Sequence, residues 1–422
     1  MGHICINGEN MEAIIVGVSY FGMTYDLEES MRELEALCAA CDVQVKYSLT
    51  QALDKISAAT YIGKGKVAEL KNLVGDVDLV IFNEELSPMQ IKNLTDILEI
   101  EVSDRTDLIL KIFESRAKTN EAKLQVKIAK YNYLLPRLAG MNDELEGQQG
   151  GSGFRGSGEK KIELDRRLIR NQLTKAKHDL ALMVKQRKTQ RILRVHQDQK
   201  VVALVGYTNS GKSSLMNYFV AHSKLNDKTV LQKDMLFATL ETSTRKVKLN
   251  NNKTFLLTDT VGFINQLPHH LVQAFRSTLE EVKEADLVLQ VVDSSSPYYR
   301  EHISVTNQVL EELGVDLNKI LYVYNKIDLN KYGLVEPLDP YVFISVKEEK
   351  NMETLMKSID QILFGDDHIV EVVLPYSLMN IVSYLLDNTH VLSYEYLENG
   401  IYLKAEVSAK MQAYLKKYVL FN

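Results

Sequence analysis

The stretch that decides the fold is G-Y-T-N-S-G-K-S at residues 206–213. It follows the apolar run V-V-A-L-V at residues 201–205 and precedes L-M-N-Y-F at residues 215–219, an order that predicts a strand, a loop and a helix. Glycines at both ends let backbone N–H groups close around an anion, and the N-terminus of a helix favours negative charge. The stretch therefore predicts a phosphate-binding loop, in which Lys212 adds a positive charge.

Further motifs stand at the ends of other predicted strands. D-T-V-G at residues 259–262 follows the apolar F-L-L, and N-K-I-D at residues 325–328 follows I-L-Y-V-Y. The Asp328 carboxylate can accept hydrogen bonds from the N1 and N2 donors of guanine, which adenine lacks. S-V-K at residues 345–347 would offer backbone N–H groups to the guanine O6. The motifs together predict binding of GTP and GDP rather than of ATP.

The same motifs supply residues for a metal ion and for a nucleotide switch. Ser213 should bind Mg²⁺ directly and Asp259 should hold it through water, because this small cation keeps several of its waters. For the switch threonine that also reaches the metal we favour Thr239, which apolar residues flank, while Thr242 and Thr244 stay open. We expect Lys212, Thr239 and Gly262 to act at the γ-phosphate. The predicted nucleotide-binding set is Gly206, Tyr207, Thr208, Asn209, Ser210, Gly211, Lys212, Ser213, Ser214, Asp259, Gly262, Asn325, Lys326, Asp328, Ser345, Val346 and Lys347.

Phe263 stands where Ras-like enzymes carry the glutamine that orients the attacking water. A phenyl ring cannot orient water, so we expect slow hydrolysis by the chain alone and acceleration by a partner. His269, His270 and Arg276 are near in sequence and could contribute, although a plain surface role is favoured for each. Asn209 suggests potassium stimulation, because its carboxamide oxygen could hold a monovalent cation against the phosphates. Equal turnover in potassium and sodium buffers would remove that hypothesis.

Composition places the chain among multidomain proteins of the cytosol. Its 422 residues, 45% of them hydrophobic and 25% charged, are enough for two or three cores. No apolar stretch reaches membrane-spanning length and no export or myristoylation signal is visible, so the cytosol is the default location, with partial membrane association left open. The C-x-x-C pair Cys38 and Cys41 lacks a second pair and is expected to serve packing rather than zinc binding.

Periodicity predicts an α/β multidomain protein with four parts. Residues 1–106 form an N-terminal parallel α/β domain, with strands at 14–18, 43–47 and 79–82 and a helix that Ser87 caps before Pro88. Residues 107–197 form a long helical hairpin with a glycine-rich loop at 147–158, and residues 198–365 form a Ras-like P-loop GTPase domain. Residues 366–422 form a small α+β C-terminal domain in the order β-α-β-β-α, with no catalytic constellation.

The helix after the glycine-rich loop is strongly basic, although the whole chain has a net charge of −6. Only four acids, Glu159, Glu163, Asp165 and Asp179, accompany its basic residues. Such a helix predicts attraction to a polyanion such as RNA, held mainly through phosphates, and a solvated helix face remains the alternative. The basic residues in and after the loop are Arg155, Lys160, Lys161, Arg166, Arg167, Arg170, Lys175, Lys177, Lys185, Arg187, Lys188, Arg191 and Arg194.

Several stretches together resemble the HflX family of ribosome-associated GTPases, over roughly residues 10–350. They are G-G-S-G-F-R-G-S-G-E at 150–159, D-R-R at 165–167, Y-I-G-K-G-K at 61–66, L-F-A-T-L at 236–240 and D-T-V-G-F at 259–263, with the phosphate loop. The resemblance implies binding to the large ribosomal subunit and its rRNA, with the glycine-rich loop near the peptidyl-transferase region, and splitting or rescue of stalled ribosomes. It also implies Thr239 as the switch residue. Ser157 and Ser210 depart from the family's usual proline and alanine, and the departure at Ser157 leaves a divergent, antibiotic-protective paralogue open.

Two other functions remain open at this point, and they belong to different classes. A nucleotide-regulated RNA remodeller would require ATP, which Asp328 disfavours. A GTP-dependent binding switch with negligible turnover is supported by Phe263. We expect a monomer that has neither DNA as a partner nor a membrane anchor.

Overall fold

The computed structural model describes residues 11–23, 25–140, 158–196, 199–223, 237, 243–268, 271, 280–330, 333 and 335–419. The chain divides into two compact units. The first consists of residues 1–189, 234–241 and 263–277, and the second of residues 190–233, 242–262 and 278–422. The four domain boundaries expected from the sequence remain predictions.

A parallel sheet of four strands forms the centre of the first unit. Its strands are β1 (Met11–Tyr20), β2 (Val43–Leu53), β3 (Leu79–Phe82) and β4 (Glu101–Asp104), in the order β2-β1-β3-β4. Helices α1 (Leu27–Ala40), α2 (Lys64–Leu73) and α3 (Pro88–Leu98) connect them. The parallel α/β prediction is confirmed. Strand β4 was not predicted, because its buried Ser103 and Asp104 are polar residues that hydrogen-bond to Asp107 of the next helix and hide the apolar pattern.

Local details of this unit follow the sequence signals. Ser87 and Gln90 form a reciprocal capping box at the start of α3, with Pro88 in the first helical position. The N–H of Gly63 donates to Gln51 Oε1 at 2.9 Å, so Gly63 makes a structural contact directly before α2 begins. Cys38 and Cys41 are both buried, and burial raises the pKa of Cys38 to about 12 and that of Cys41 to about 11. Both thiols therefore stay protonated at neutral pH.

The helical region contains α4 (Arg105–Arg116), α5 (Asn120–Gly140) and α6 (Gly158–His196). Two long helices were predicted here, and the first is divided because the chain turns extended at Ala117 before α5 begins. The Tyr131 hydroxyl of α5 hydrogen-bonds to Gln172 Oε1 of α6, and Leu173 and Ala176 of α6 are buried. The glycine-rich loop lies outside the described residues, except for Gly158 where α6 begins.

A six-stranded sheet forms the core of the second unit. Its strands are β5 (Lys200–Val205), β6 (Ser243–Lys248), β7 (Thr254–Asp259), β8 (Leu287–Asp293), β9 (Ile320–Asn325) and β10 (Tyr341–Phe343), in the order β10-β9-β8-β5-β7-β6. Only the pairing of β6 with β7 is antiparallel among these strands. Helices α7 (Lys212–His222), α8 (Tyr299–Glu312) and α9 (Met352–Phe364) accompany the sheet. This is the predicted Ras-like arrangement, and it brings the carboxyl ends of the parallel strands to one edge.

The C-terminal part of the second unit has the predicted β-α-β-β-α order. It consists of β11 (His368–Leu374), α10 (Met379–Asn388), β12 (His390–Leu397), β13 (Gly400–Val407) and α11 (Ala409–Leu415), with an antiparallel sheet in the order β11-β13-β12. The buried ammonium of Lys253, just before β7, lies 2.9 Å from Glu406 of β13 and 3.2 Å from Asp367. Burial alone would lower the pKa of Lys253, but these carboxylates outweigh it and raise the pKa.

Among the described residues, no helix combines the length and the apolar character needed to cross a membrane.

Candidate nucleotide-binding site

The phosphate loop joins β5 to α7 at the carboxyl edge of the six-stranded sheet. Gly206 and Gly211 have φ angles of 142° and 99°, a region that residues with a Cβ rarely adopt. A Cβ on Gly206 would lie 2.2 Å from the carbonyl oxygen of Val291, and one on Gly211 would lie 2.2 Å from Asn325 Nδ2. Glycine is therefore required at both ends of the loop, by close packing as well as by backbone conformation.

Lys212 is buried inside the loop. Its Nζ donates to the carbonyl oxygens of Gly206 at 2.9 Å and Tyr207 at 2.6 Å. Burial lowers the pKa of Lys212 to about 8, although the charge of Asp259 opposes this shift. The loop hydroxyls of Thr208 and Ser210 are also buried, and neither has a hydrogen-bond partner among the described residues. A buried ammonium and two unsatisfied hydroxyls fit the oxygens of bound phosphate groups.

Asp259 and Gly262 meet this loop from the end of β7. The fully buried carboxylate of Asp259 accepts a hydrogen bond from Ser213 Oγ at 3.0 Å. A Cβ on Gly262 would lie 2.9 Å from Thr208 Cγ2 and 3.1 Å from Lys212 Nζ, so only glycine leaves room between this turn and the loop. The Ser213 hydroxyl and the Asp259 carboxylate lie side by side, and this pair of oxygen donors fits a magnesium ion that also binds phosphate and water.

At the other end of the site, the residues expected to bind guanine are connected by internal hydrogen bonds. Asn325 Nδ2 donates to the carbonyl oxygen of Ser210 at 2.9 Å, which connects the β9 end to the phosphate loop. The Ser345 hydroxyl donates to Asp328 Oδ1 at 2.6 Å. The N–H of Val346 donates to Asn325 Oδ1 at 3.1 Å. Because that N–H is engaged within the protein, the N–H of the exposed Lys347 is the better candidate donor to guanine O6.

Sequence reasoning missed two interactions at this site. Lys326 Nζ lies 2.7 Å from Asp293 Oδ2 at the end of β8, and that strand-end position was a signal that could have singled out Asp293. His302 of α8 stacks on Tyr207 of the phosphate loop, with ring centroids 3.8 Å apart and an interplanar angle of 14°. Tyr207 is also the residue whose carbonyl oxygen accepts from Lys212. His302 lies far from the loop in sequence and had no local signal.

The structure describes only some of the candidate switch threonines and of the residues near Phe263 that could contribute to hydrolysis. Thr239, Thr242, His269, His270 and Arg276 lie outside the described residues. Thr244 lies in β6, where its hydroxyl is 3.1 Å from the Thr258 hydroxyl. Phe263 is 2% exposed, so its ring is buried rather than facing solvent. Phe237 is buried as well, and its ring lies 4.7 Å from that of Phe113.

The residues after Phe263 belong to the first unit, where they contact the end of the parallel sheet. The buried guanidinium of Arg105 donates to Asn83 Oδ1 at 3.0 Å and to the carbonyl oxygen of Asn265 at 3.3 Å. Gln266 Nε2 donates to Glu84 Oε1 at 2.6 Å, and burial raises the pKa of Glu84. The chain directly after the D-T-V-G motif is therefore held by buried hydrogen bonds.

Three family models match successive parts of the chain. They are described as the GTP-binding GTPase N-terminal region at residues 28–114, the GTP-binding GTPase middle region at 116–194 and a 50S ribosome-binding GTPase at 201–326. A GTPase HflX from Caldanaerobacter subterraneus subsp. tengcongensis is 42% identical over 395 residues, which cover 93% of this chain and 91% of that protein. The chain belongs to the HflX family of GTPases. It is therefore an enzyme that binds GTP and hydrolyses it.

A further HflX protein and two solved structures are also similar to the chain. The GTPase HflX of Escherichia coli is 39% identical over 320 residues, covering 75% of this chain and 73% of its own length. Among solved structures, a GTP-binding protein from Sulfolobus solfataricus in complex with GDP matches with 25% identity and a TM-score of 0.42, covering 84% of this chain and 99% of that one. A complex described as SsGBP and GDP matches with 26% identity and a TM-score of 0.45, covering 84% and 98%.

Proposed function

We propose that this HflX-family GTPase binds the large ribosomal subunit in a nucleotide-dependent way and splits or rescues stalled ribosomes under stress or antibiotic challenge. The observation that carries this proposal is the match of residues 201–326 to a model described as a 50S ribosome-binding GTPase. The protein would work in the cytoplasm as a monomer.

Helix α6 supports a contact with rRNA. Its described part exposes Arg167, Arg170, Lys175 and Lys177 to solvent. Basic side chains along one exposed helix attract phosphates without reading base sequence. We assign the glycine-rich loop at residues 147–158 to the same contact, because it directly precedes this helix in the sequence.

The roles of the site residues follow from the contacts of the phosphate loop. Backbone N–H groups of the loop, Lys212 and the Thr208 and Ser210 hydroxyls would hold the phosphates. Ser213, Asp259 and Thr239 would hold Mg²⁺, which when bound neutralises charge that develops on the phosphate oxygens. Gly262 would give its backbone N–H to the γ-phosphate, because it has no side chain to fill the space beside Lys212.

Guanine would be selected by Asp328, which the Ser345 hydroxyl orients, with Lys326 and Asn325 supporting the base. Asn209 would hold a potassium ion beside the phosphates, since its exposed carboxamide stands in the loop with a φ of 60°. This role is tested by comparing GTP turnover in potassium and sodium buffers, and equal turnover would contradict it.

Slow turnover without the ribosome is the consequence we draw from Phe263. Its ring is buried, so the residue after the D-T-V-G motif has no polar group with which to orient water. A partner that completes the site would then accelerate the reaction through positioning and charge stabilisation.

Cosedimentation tests the ribosome proposal directly. Purified protein is mixed with large subunits, with a non-hydrolysable GTP analogue, GDP or no nucleotide, and pelleted through sucrose. We expect the analogue to give the most bound protein. Deleting residues 147–158 should abolish cosedimentation while basal GTP hydrolysis stays unchanged. Equal pelleting of the deletion variant and the full chain would contradict the role of the loop.

A further inference from the structure

Strand β12 is the exposed edge of the C-terminal sheet. In the order β11-β13-β12 it pairs with β13, and no other strand of the described residues pairs with its outer side. The six consecutive residues 392–397 are all exposed, which means that both faces of the strand reach solvent. The outer edge of such a strand presents backbone N–H and C=O groups that can template another strand. This surface plays no part in the nucleotide site.

The exposed strand carries large aromatic and apolar side chains. Tyr396 is 62% exposed, Tyr394 is 52% exposed and Leu392 is 43% exposed. The rings of Tyr394 and Tyr396 lie edge to face with centroids 6.1 Å apart. Tyr376 donates through its hydroxyl to the carbonyl oxygen of Leu397 at 2.7 Å, which sets a third tyrosine beside the end of the strand. Tyrosines are enriched in protein interfaces because they combine apolar area with a hydrogen-bonding group.

Features that commonly prevent an edge strand from pairing with another chain lie at one end of β12, at residues 390–393. The register shift between Val391 and Ser393 lies there, next to His390, whose Nδ1 is 3.3 Å from Glu406. The tyrosine-bearing half contains neither proline nor lysine, the residues that usually discourage edge pairing. The half that carries Tyr394 and Tyr396 is therefore the accessible one.

Local charge distinguishes between possible partners. Residues 376–403 contain the acids Asp387, Glu395 and Glu398 and no lysine or arginine. Exposed tyrosines can stack on bases, but Lys404 of β13, which lies opposite Ser393, is paired with Glu371 at 2.7 Å and leaves little positive charge for the phosphates of RNA. A second copy paired along the same edge would bring Glu395 and Glu398 of both chains together. Acids beside an apolar edge instead attract a basic segment.

We propose that β12 binds an extended, lysine- or arginine-bearing segment of a partner protein, which adds to the sheet as a fourth strand next to Tyr394 and Tyr396. Backbone hydrogen bonds would contribute affinity for any extended segment. The tyrosines and Glu395 would select segments in which apolar and basic side chains alternate. The C-terminal domain is thus a protein-docking module.

The test uses the full chain and a rhodamine-labelled peptide in which lysine and valine alternate, followed by fluorescence anisotropy. We expect saturable binding, and at least about tenfold weaker binding by the double variant Tyr394→Ser/Tyr396→Ser. Tyr414→Ser is the matched control, because Tyr414 is 50% exposed on α11, and it should bind as the unchanged chain does. Hydrogen exchange should show protection of amides at residues 392–397 when the peptide is bound.

Two further peptides and oligouridine distinguish the proposed partner from RNA and from a second copy of the chain. A glutamate-valine peptide and a proline-interrupted lysine-valine peptide should both fail to bind, since the first has the wrong charge and the second cannot form the ladder. Absence of saturable binding by the lysine-valine peptide, or equal weakening by Tyr414→Ser, would overturn the proposal. Binding of oligouridine in place of the peptide, or dimerisation that the double variant abolishes in sedimentation equilibrium, would overturn it in favour of RNA or a second copy. Unchanged GTP turnover of each variant verifies its folding.

Discussion

The guanine end and the phosphate end of the site differ in how far the protein satisfies its own polar groups. At the guanine end, Asn325 and Asp328 are already held by bonds from Val346 and Ser345. At the phosphate end, the Thr208 and Ser210 hydroxyls are buried without partners in the described part of the chain, and Lys212 donates only to carbonyl oxygens. The residues proposed to bind guanine are therefore already hydrogen-bonded within the protein, whereas the proposed phosphate loop would complete its hydrogen bonding with a ligand.

The largest effect is expected from Lys212→Ala, which removes the buried cation of the phosphate end. Affinity for GTP and for GDP should fall by about a hundredfold or more, as is typical when one partner of a buried charged pair is lost. Fluorescent-nucleotide titration measures it. Lys357→Ala is the control, because that exposed lysine of α9 pairs with Glu353 of the same helix, and it should leave affinity unchanged. Unchanged GTP affinity of Lys212→Ala would contradict the site assignment.

At the guanine end, Asp328→Asn should change selectivity rather than abolish binding. The carboxamide can accept only one of the two hydrogen bonds from guanine, so GTP affinity should fall about tenfold to a hundredfold. Xanthine carries a carbonyl where guanine has its N2 amine, so XTP should bind better to this variant than to the unchanged chain. Competition titrations with both nucleotides measure the shift. An identical GTP to XTP ratio in the two proteins would place guanine elsewhere.

The pKa of Lys212 predicts that GTP affinity depends on pH, and this dependence arises at the phosphate end of the site. In the free protein this pKa lies at about 8, below the ordinary value of 10.5, mainly because the ammonium is buried. Phosphates bind the charged form, so GTP affinity should stay constant below pH 8 and weaken above it, by up to about tenfold per pH unit. Lys212→Arg should remove the slope, because a guanidinium does not deprotonate. An equal slope in that variant would assign the titration to another group.

The lowered pKa of Lys212 also determines how the stability of the folded protein changes with pH. The folded pKa of Lys212 is lower than the unfolded one, so between pH 8 and 10.5 the unfolded chain binds more protons than the folded chain. Lys212 therefore contributes a stability that rises with pH across this window in the nucleotide-free protein. Urea denaturation at several pH values, with Lys212→Arg as the reference, separates this contribution from those of other groups.

The smallest effect is expected at His302, which stacks on Tyr207 of the phosphate loop. Loss of the stacked ring in His302→Ala should weaken GTP binding about fivefold, in line with the free energy of one aromatic pair. His302→Phe keeps a ring and should restore most of the affinity. If alanine and phenylalanine weaken binding equally, the stack does not position the loop.

Local sequence motifs single out candidate residues at both ends of the site, but not the contacts between residues that are distant in sequence. The phosphate loop follows an apolar run, and Asp259 and Asn325 end apolar strands. The alternation of strands and helices places these positions at one edge of the sheet. His302 could not be found in this way, because stacking on Tyr207 depends on how α8 packs. The division of the helical region at Ala117 was missed because apolar periodicity continues on both sides of it.

Turnover of GTP by the purified protein, measured with and without large ribosomal subunits, tests the central claim most directly. ATP serves as the control nucleotide and Lys212→Ala as the control protein. We expect slow hydrolysis of GTP alone, strong stimulation by the subunits, and no stimulated turnover of ATP or by the variant. A GTP rate that the subunits leave unchanged, or equal turnover of GTP and ATP, would contradict a ribosome-coupled, guanine-selective GTPase.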